Sequence, residues 1–174
     1  MKHEYLGDSY DAVKRLWQQV LADWAPLHAE PRFIMPELRQ DFTRLTGIPM
    51  LPDAAPRSYS ILNDPDTGIR LPDENNQTES RTHIALTTIR DQLQRHTPRV
   101  VITFDQSDYR HVKLTRDKQR HAKMSYFAKV DLFAFYYVSH APFLFAFPNA
   151  DSRQQLRERL RTFGILDDRF EPHE

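Results

Sequence analysis

The chain has 174 residues, of which 40% are hydrophobic and 28% charged, a composition typical of a globular protein with one compact core. Lys plus Arg and Asp plus Glu number 24 each, so net charge favours no class of partner. The absence of cysteine excludes disulfides, thiolate zinc sites, iron–sulfur clusters and cysteine nucleophiles. With neither a signal-peptide core nor a membrane-spanning apolar run, we expect a single cytoplasmic domain over residues 1–174 without membrane association.

Two helices are predicted before the first strongly apolar run. The first opens at Gly7-Asp8-Ser9, where Asp8 or Ser9 can cap it. Its apolar residues recur at helical spacing: Val13, Leu16, Trp17, Val20, Leu21 and Trp24. The second helix begins at Pro36, a favourable first helical residue, and ends at Gly47. The prolines between 48 and 57 indicate a loop that leads into a strand.

The strongest chemical signal follows the apolar run 59–63, which predicts a buried strand. Asp64 and Asp66 come directly after it, separated by a proline and followed by Thr-Gly. Ligands of open α/β sheets bind in the crevice outside the carboxyl ends of the strands, so both acids are candidate catalytic residues. The same residues also form a good turn sequence, with Asp64 in an Asx-turn and Gly68 at positive φ. A purely structural turn is therefore the competing interpretation.

The next part of the chain predicts surface structure and then a helix. Residues 70–81 are polar and indicate a surface excursion beside the candidate site. Residues 83–86 form a brief strand or the approach to the helix. Thr88 and Asp91 have the spacing of a capping box, which predicts a helix that opens there and runs to about residue 95.

The clearest buried strand is the run 99–104, which is apolar and rich in β-branched residues. It ends at Asp105, so a carboxylate again follows a strand directly. A basic helix follows from about 115 to 130, and two aromatic strands come next, at 132–138 and 142–147. Because only three residues separate these strands, we expect a tight antiparallel hairpin.

The order of elements predicts the fold class. Ser152, with Gln155 three residues later, predicts the cap of a last helix that ends at Gly164. Strands that alternate with helices are typical of α/β proteins. We therefore expect a three-layer Rossmann-like sheet, mainly parallel, with a C-terminal antiparallel hairpin.

Several classes of site are disfavoured by what the sequence lacks. The four glycines are too far apart for a phosphate-cradling loop, which argues against P-loop NTPases and dinucleotide-binding enzymes and weakens an S-adenosylmethionine site. The eight histidines show no zinc-ligand spacing. The remaining candidates for a site are the acids that follow the two strands. Asp64, Asp66 and Asp105 are hard oxygen ligands of the kind that Mg²⁺ or Mn²⁺ prefers, so we predict a divalent-metal site formed by these three.

A basic stretch follows the strand that ends at Asp105. Its members are Arg110, His111, Lys113, Arg116, Lys118, Arg120, His121 and Lys123. Such a stretch can neutralise phosphates, and we predict that Arg116, Arg120 and Lys123 bind substrate. The competing interpretation is a solvated helix face, because charge runs are often only exposed surface.

Two further residues are candidates for the site. His140 lies at the tip of the predicted hairpin, where it can transfer protons or simply bond to the turn backbone. Lys14 is one helical turn from Asp11, which indicates an intrahelical pair. If that helix start faces the carboxyl edge of the sheet, Lys14 can instead reach an anionic substrate.

Two motifs give the chain a resemblance to known proteins. Gly7-Asp8-Ser9-Tyr10-Asp11-Ala12-Val13-Lys14 and Leu62-Asn63-Asp64-Pro65-Asp66-Thr67-Gly68 resemble an uncharacterised group of bacterial and phage proteins. These carry a Gly-Asp-x-x-Asp-x-x-Lys start and a strand that ends in Asp-Pro-Asp-Thr-Gly. The resemblance extends through Phe104-Asp105-Gln106-Ser107 and Tyr137-Val138-Ser139-His140 and implies no activity. More distantly, a strand ending in Asp-Pro is similar to Rossmann-like methyltransferases.

These features lead to one principal hypothesis and two alternatives. The chain is predicted to be a nuclease-like hydrolase of phosphodiesters or nucleotide phosphates that uses Mg²⁺ or Mn²⁺, with a nucleotide or nucleic acid as partner. The first alternative is a Rossmann-like methyltransferase-type domain. The second is a non-catalytic module that binds nucleic acid or protein through the basic helix.

Overall fold

A computed structural model of the chain describes residues 6–54, 56–74, 80–109 and 113–171. Arg110 and His111 of the predicted basic stretch and residues 75–79 of the predicted excursion lie outside these ranges. Within them the chain forms five α-helices. They are α1 (Ser9–Leu21), α2 (Arg39–Thr46), α3 (Leu86–His96), α4 (Arg116–Ala128) and α5 (Ala150–Thr162).

Eight strands form two sheets in the described ranges. The strands are β1 (Leu27–Ala29), β2 (Ser60–Asn63), β3 (Gly68–Ile69), β4 (His83–Ile84), β5 (Val101–Phe104), β6 (Phe133–Tyr137), β7 (Phe143–Phe147) and β8 (Phe170–Glu171). The main sheet has the order β1-β2-β5-β7-β6-β8, and β3 pairs with β4 in a separate parallel pair.

The main sheet is mixed but mostly of one direction. β1, β2 and β5 pair in parallel, whereas β7 is antiparallel to both β5 and β6, and β8 is antiparallel to β6. Four of the six strands, β1, β2, β5 and β6, therefore run the same way. A mixed α/β architecture is confirmed.

Two hydrophobic clusters cover the faces of the main sheet. Ile61 and Val101 contribute to one cluster, and their strand neighbours Leu62 and Ile102 to the other, as the alternation of side chains along a strand requires. The cluster with Leu62 also contains residues of α1, α2 and α5, and the cluster with Ile61 contains residues of α3 and α4. The carboxyl edge of the sheet is thus flanked by helices from both faces.

Two predicted helix caps are wrong. α3 begins at Leu86 with Ala85 as its N-cap, so Thr88 lies inside the helix. Burial of Leu86 and Ile89 against the sheet decides where this helix starts. α5 is capped by Asn149, whose side chain accepts a hydrogen bond from the Ser152 amide at 2.8 Å. Asn149 is as good a cap as serine, and it allows the helix to begin earlier.

Candidate functional site

Asp64 and Asp105 follow two neighbouring strands at one edge of the main sheet. Each comes directly after its strand, and β2 and β5 are paired in parallel with Asn63 opposite Thr103. Both acids are almost fully buried. They are nevertheless bonded to helices on opposite faces of the sheet, Asp64 to α1 and Asp105 to α4.

Lys14 of α1 lies between two carboxylates. Its ammonium group donates to Asp64 Oδ2 at 2.7 Å and to Asp11 Oδ1 at 2.9 Å. The other oxygen of Asp11 accepts from the Gly7 amide at 2.7 Å, and Asp8 caps the helix. The intrahelical pair with Asp11 is therefore present, and the anionic group that Lys14 reaches at the edge of the sheet is the Asp64 carboxylate of the chain itself.

The charges of this cluster do not balance. Burial raises the pKa of Asp64 above its usual value, and the Lys14 ammonium offsets only part of that effect. Burial also acts to lower the pKa of Lys14, but attraction by Asp64 and Asp11 outweighs it and the pKa of Lys14 is raised. The pKa of Asp64 is thus raised first by burial and to a smaller extent by the charge of Asp11, which together outweigh the attraction of Lys14.

The Asp11–Lys14–Asp64 cluster opens onto a pocket of about 120 Å³, which we call the acidic pocket. Its lining consists of Asp8, Tyr10, Lys14, Asp64, Pro65, Asp66, Phe104 and Gln106. The rings of Tyr10 and Phe104 lie 5.3 Å apart. Carboxylates and aromatic rings suit a planar ligand that donates hydrogen bonds or carries positive charge.

Asp105 accepts hydrogen bonds from five donors. Its Oδ2 accepts from Lys123 Nζ at 2.7 Å and from the Tyr136 hydroxyl at 2.6 Å. Its Oδ1 accepts from the amide of Ile69 and from the amide and hydroxyl of Ser107. Burial, followed by the charge of Asp105, raises the pKa of Tyr136 well above its usual value near 10, so this phenol stays a donor. Both Asp105 oxygens are therefore occupied.

Gly68 makes room for the Asp105 side chain. Its φ is +143°, and a Cβ there would lie 2.9 Å from Asp105 Cα and directly against Oδ1. The positive φ expected of a turn residue is thus present. The Asp64 carboxylate, by contrast, bonds to Lys14, which is 50 positions away in the chain. The predicted Asx-turn at Asp64 is therefore not formed, and the segment 64–68 connects β2 to β3 as part of the wall of a pocket.

A second pocket, of about 130 Å³, lies on the α4 side of the same edge, and we call it the basic pocket. Its lining consists of Asp105, Gln106, Ser107, Arg116, Gln119, Arg120, Lys123, Val138, Ser139, His140 and Pro142. Arg120 pairs with both carboxylate oxygens of Glu171 at 2.8 and 2.9 Å. Arg116 pairs with Asp108 at 3.2 Å. The predicted solvated helix face is correct for Arg116 but not for Lys123, which is only 1% exposed.

Gln106 lines both pockets. Its amide nitrogen donates to the Tyr10 hydroxyl and, at 3.5 Å, to the backbone oxygen of His140. The Tyr10 and His140 rings are stacked with their centroids 5.9 Å apart. These three side chains form the partition between the acidic and basic pockets.

The predicted site residues fall into two groups. Lys14, Asp64 and Asp66 line the acidic pocket. The basic pocket is lined by Asp105, Arg116, Arg120, Lys123 and His140. The three predicted metal ligands are therefore divided between the pockets. In the part of the chain that the structure describes, no group of three or more His, Asp or Glu side chains is arranged to hold a metal ion.

Sequence reasoning missed Tyr10, Phe104, Gln106 and Tyr136. Phe104 and Gln106 flank Asp105, so position after a strand was an available signal for both. Tyr136 gave no signal, because an aromatic residue within an aromatic strand indicates core packing.

None of the helices in the described ranges combines the length and apolar character needed to cross a membrane. Comparison of the chain with protein-family models, curated protein sequences and solved structures gives no match.

Proposed function

We propose that this chain is an enzyme that hydrolyses a phosphate ester of a nucleotide or of a nucleic-acid end. The observation that supports this proposal is the pairing of an acidic, aromatic pocket with a basic pocket across the shared residue Gln106. A nucleotide has a planar base and an anionic phosphate, which match these two pockets in chemistry. The location at the carboxyl ends of parallel strands agrees with the usual place of ligand binding in α/β sheets.

We further propose that the fold is a three-layer Rossmann-like arrangement with β6 and β7 as its C-terminal hairpin. Helices of two separate hydrophobic clusters on the two faces of the sheet support the layers. The antiparallel register from Phe133 opposite Phe147 to Tyr137 opposite Phe143 supports the hairpin.

In this proposal the basic pocket holds the phosphate. Lys123 uses its ammonium group to bond Asp105 and Ser107, which leaves one of the three N–H donors of a lysine for a ligand. Arg116 and Arg120 also line this pocket, and a bound phosphate would compete for them with their partners Asp108 and Glu171. Neutralising a phosphate in this way favours attack by water.

His140 is the proposed proton-transfer residue. It is exposed, lines the basic pocket and stacks on Tyr10, so it lies at the junction where the ester oxygen of a bound nucleotide would pass. Histidine takes up and releases protons readily near neutral pH, and a positioned general acid or base contributes about 10²–10⁴-fold to a rate.

The predicted site for Mg²⁺ or Mn²⁺ does not fit the proposed placement of the substrate. Asp105 does not fit as a ligand, because its oxygens accept hydrogen bonds from five protein donors. Asp64 and Asp66 line the acidic pocket, which the proposal assigns to the base and not to the phosphate. The proposed hydrolysis therefore assigns no role to an ion at these residues.

The direct test is phosphate release from mononucleotides and short oligonucleotides, with and without Mg²⁺ or Mn²⁺. We expect the unmutated protein to release phosphate or nucleotide, and His140→Gln to lower kcat by about 10²-fold while KM changes little. The matched control is His121→Gln, an exposed histidine on α4 that lines neither pocket.

Two results of this test would decide against the proposal. If the unmutated protein cleaves none of these substrates, it is not a hydrolase of this kind. If it binds nucleic acid without cleavage and the binding weakens steeply with salt, the non-catalytic module is the better description.

A second candidate is a methyltransferase-type domain. It is favoured by the negative charge and aromatic rings of the acidic pocket, which suit the cationic, adenine-bearing S-adenosylmethionine. Titration calorimetry with S-adenosylmethionine distinguishes the two candidates, because only the methyltransferase requires tight binding of that compound.

A further inference from the structure

The hydroxyl group of Ser107 is held between an acid and a cation. Its Oγ lies 2.5 Å from Asp105 Oδ1, and Lys123 Nζ donates to it at 2.8 Å. The residue is half-buried and lines the basic pocket. Ser139, the other serine of that lining, bonds instead to the backbone of Ala141. Ser107 is therefore the serine of this pocket whose neighbours can change the charge on its oxygen.

Asp105 is placed to accept the proton of this hydroxyl. An O–H group that donates to a carboxylate at 2.5 Å makes a strong, charge-assisted hydrogen bond. Ile69 O, the other acceptor of the single hydroxyl hydrogen, is farther away at 3.0 Å. The Asp105 side chain is itself fixed, because Tyr136 and Lys123 bond its second oxygen. A hydroxyl bonded to a base that a third group orients is typical of enzymes with a nucleophilic side chain.

Lys123 is placed to stabilise the negative charge that develops on Ser107 during attack. Its ammonium group bonds Asp105 and Ser107 and keeps its third N–H for a ligand, so one cation serves both the nucleophile and a bound phosphate. Phosphoryl transfer depends mainly on positioning and electrostatic stabilisation, and in protein kinases an aspartate suffices to accept the proton of the attacking hydroxyl. The basic pocket thus contains a nucleophile, a proton acceptor and a cation in mutual contact.

We propose that Ser107 is a nucleophile that takes up the phosphoryl group of a phosphate monoester, so that the enzyme works through a phosphoserine. This inference rests on the proposed function and adds a covalent step before the attack by water. Ser107 Oγ forms a bond to phosphorus while the bond between phosphorus and the ester oxygen breaks. The hydroxyl proton passes to Asp105, and the leaving alcohol takes its proton from His140.

Water then releases the phosphoryl group in a second step. His140, now without its proton, accepts a proton from the water whose oxygen attacks phosphorus. The bond between phosphorus and Ser107 Oγ breaks, and Asp105 returns its proton to Oγ. The two steps together yield an alcohol and inorganic phosphate and restore every side chain. A small alcohol in place of water would take up the phosphoryl group instead, which gives the protein a further activity as a phosphotransferase.

The test uses para-nitrophenyl phosphate, a small activated phosphate monoester without a nucleobase. Its leaving group departs without a general acid, so His140→Gln should slow mainly the second step, by about 10²-fold. We expect a burst of one para-nitrophenolate per chain and a phosphoryl group that stays on the protein after quenching in acid. Mass spectrometry of peptides from the quenched His140→Gln protein should locate that group on Ser107.

Two serine variants provide the comparison. Ser107→Ala is expected to abolish both the burst and the bound phosphoryl group. Ser125→Ala is the matched control and should retain both, since Ser125 is a half-buried serine of α4 that lines neither pocket. If Ser107→Ala fails to fold, the peptide that carries the phosphoryl group in the other proteins still decides the inference.

Products formed in the presence of glycerol give an independent measurement. A phosphoserine formed from para-nitrophenyl phosphate is the same as one formed from a mononucleotide. We therefore expect the unmutated protein to give the same ratio of glycerol phosphate to inorganic phosphate from both donors. A ratio that changes with the donor would overturn the common phosphoserine.

The results separate this inference from the proposed function. A phosphoryl group found on another residue, or one lost in acid as from a phosphohistidine, would overturn the role of Ser107. Release of phosphate from nucleotides without a burst or a bound phosphoryl group would also overturn it and would leave the proposed hydrolase intact. A phosphoserine at Ser107 without cleavage of any nucleotide would support the nucleophile and refute only the nucleotide substrate. A protein that neither cleaves these esters nor becomes phosphorylated would contradict both proposals.

Discussion

Two buried lysines hold the carboxylates at the carboxyl edge of the sheet. Lys14 reaches Asp64 from α1, and Lys123 reaches Asp105 from α4, each at 2.7 Å. The two pairs differ in their surroundings. Asp105 receives four further hydrogen bonds, whereas Lys14 is shared between Asp64 and Asp11. The Lys14–Asp64 pair therefore has an excess of negative charge, which the Lys123–Asp105 pair lacks.

Removal of Lys14 should destabilise the protein in a pH-dependent way. Lys14→Met leaves two carboxylates buried without their cation, which is expected to cost about 3–5 kcal/mol. It also removes the charge that lowers the pKa of Asp64, so that pKa rises further above 3.8. Between the unfolded and folded pKa values the folded state keeps a proton that the unfolded state has lost, so stability falls as pH rises through this window.

Urea unfolding at about pH 5 and about pH 8 measures this effect, with a larger loss expected at the higher pH. The double variant with Asp64→Asn is the control and should recover part of the stability at both pH values. A loss that is equal at both pH values would contradict the proposed charge imbalance.

Sequence could predict one half of this cluster but not the other. Asp11 and Lys14 are three positions apart on a helix, so their contact follows from helical geometry. Asp64 is 50 positions from Lys14, and its choice of partner depends on how α1 packs on the sheet. The predicted metal triad failed to converge for the same reason, because side chains at adjacent strand ends can turn to opposite faces.

At the scale of elements, the turn after β2 and the loop after β5 are locked together. The amide of Gln106 donates to Thr67 O at 2.9 Å, and the amide of Ile69 donates to Asp105 Oδ1 at 2.9 Å. Gly68 lies at the centre of this contact with a Cβ-free face against Asp105. The two loops that carry the candidate acids are thus positioned by each other.

Gly68→Ala should therefore be among the most destabilising substitutions that add a single carbon atom to this chain. Its φ of +143° is unfavourable for alanine, and the added Cβ would overlap the Asp105 side chain, so we expect a loss of about 3 kcal/mol or more. Gly164→Ala is the matched control. It has φ +80° but nothing within 4 Å of the added Cβ, so strain alone should cost about 1–2 kcal/mol.

Thermal or denaturant unfolding of both variants measures the difference. Equal losses would show that the close approach between Gly68 and Asp105 does not contribute to stability.

The existence of the long elements was predictable from sequence, and that of most short ones was not. The N-cap of α1 and the αL glycine after α2 agree with predictions from capping and turn chemistry, and both predicted aromatic strands are present as β6 and β7. β1, with three residues, and β8, with two, were missed because so few residues show no periodicity. Their positions are set by pairing with β2 and β6, which is tertiary information.

At the scale of the whole molecule, buried groups should make the protein sensitive to alkali. The pKa of Tyr136 lies well above 10 in the folded state, and that of Lys14 lies above 10.5. Above these ordinary values the unfolded chain loses protons that the folded protein retains. Stability should therefore be fully present at neutral pH and fall as pH rises beyond about 10.

Tyr136→Phe tests the contribution of Tyr136 to this loss of stability in alkali, which is expected to be larger than that of Lys14. It removes a hydrogen bond to Asp105, so its stability should be lower at neutral pH by about 1–3 kcal/mol, but it should fall less steeply between about pH 9.5 and pH 11. Tyr126→Phe, a less buried tyrosine on α4, serves as the control and should keep the steep decline. An unchanged slope for Tyr136→Phe would show that this phenol does not set the alkaline limit.

The partition between the pockets has a consequence for how the protein is made. Tyr10 and His140 stack although 130 positions separate them, and Gln106 contacts both. A polypeptide emerging from the ribosome delivers the first of these residues long before the last. The lining of the acidic pocket is complete once Gln106 has been synthesised, but the basic pocket also needs Pro142. A nascent or prematurely terminated product that stops before this residue should therefore lack the basic pocket even where its early helices have already formed.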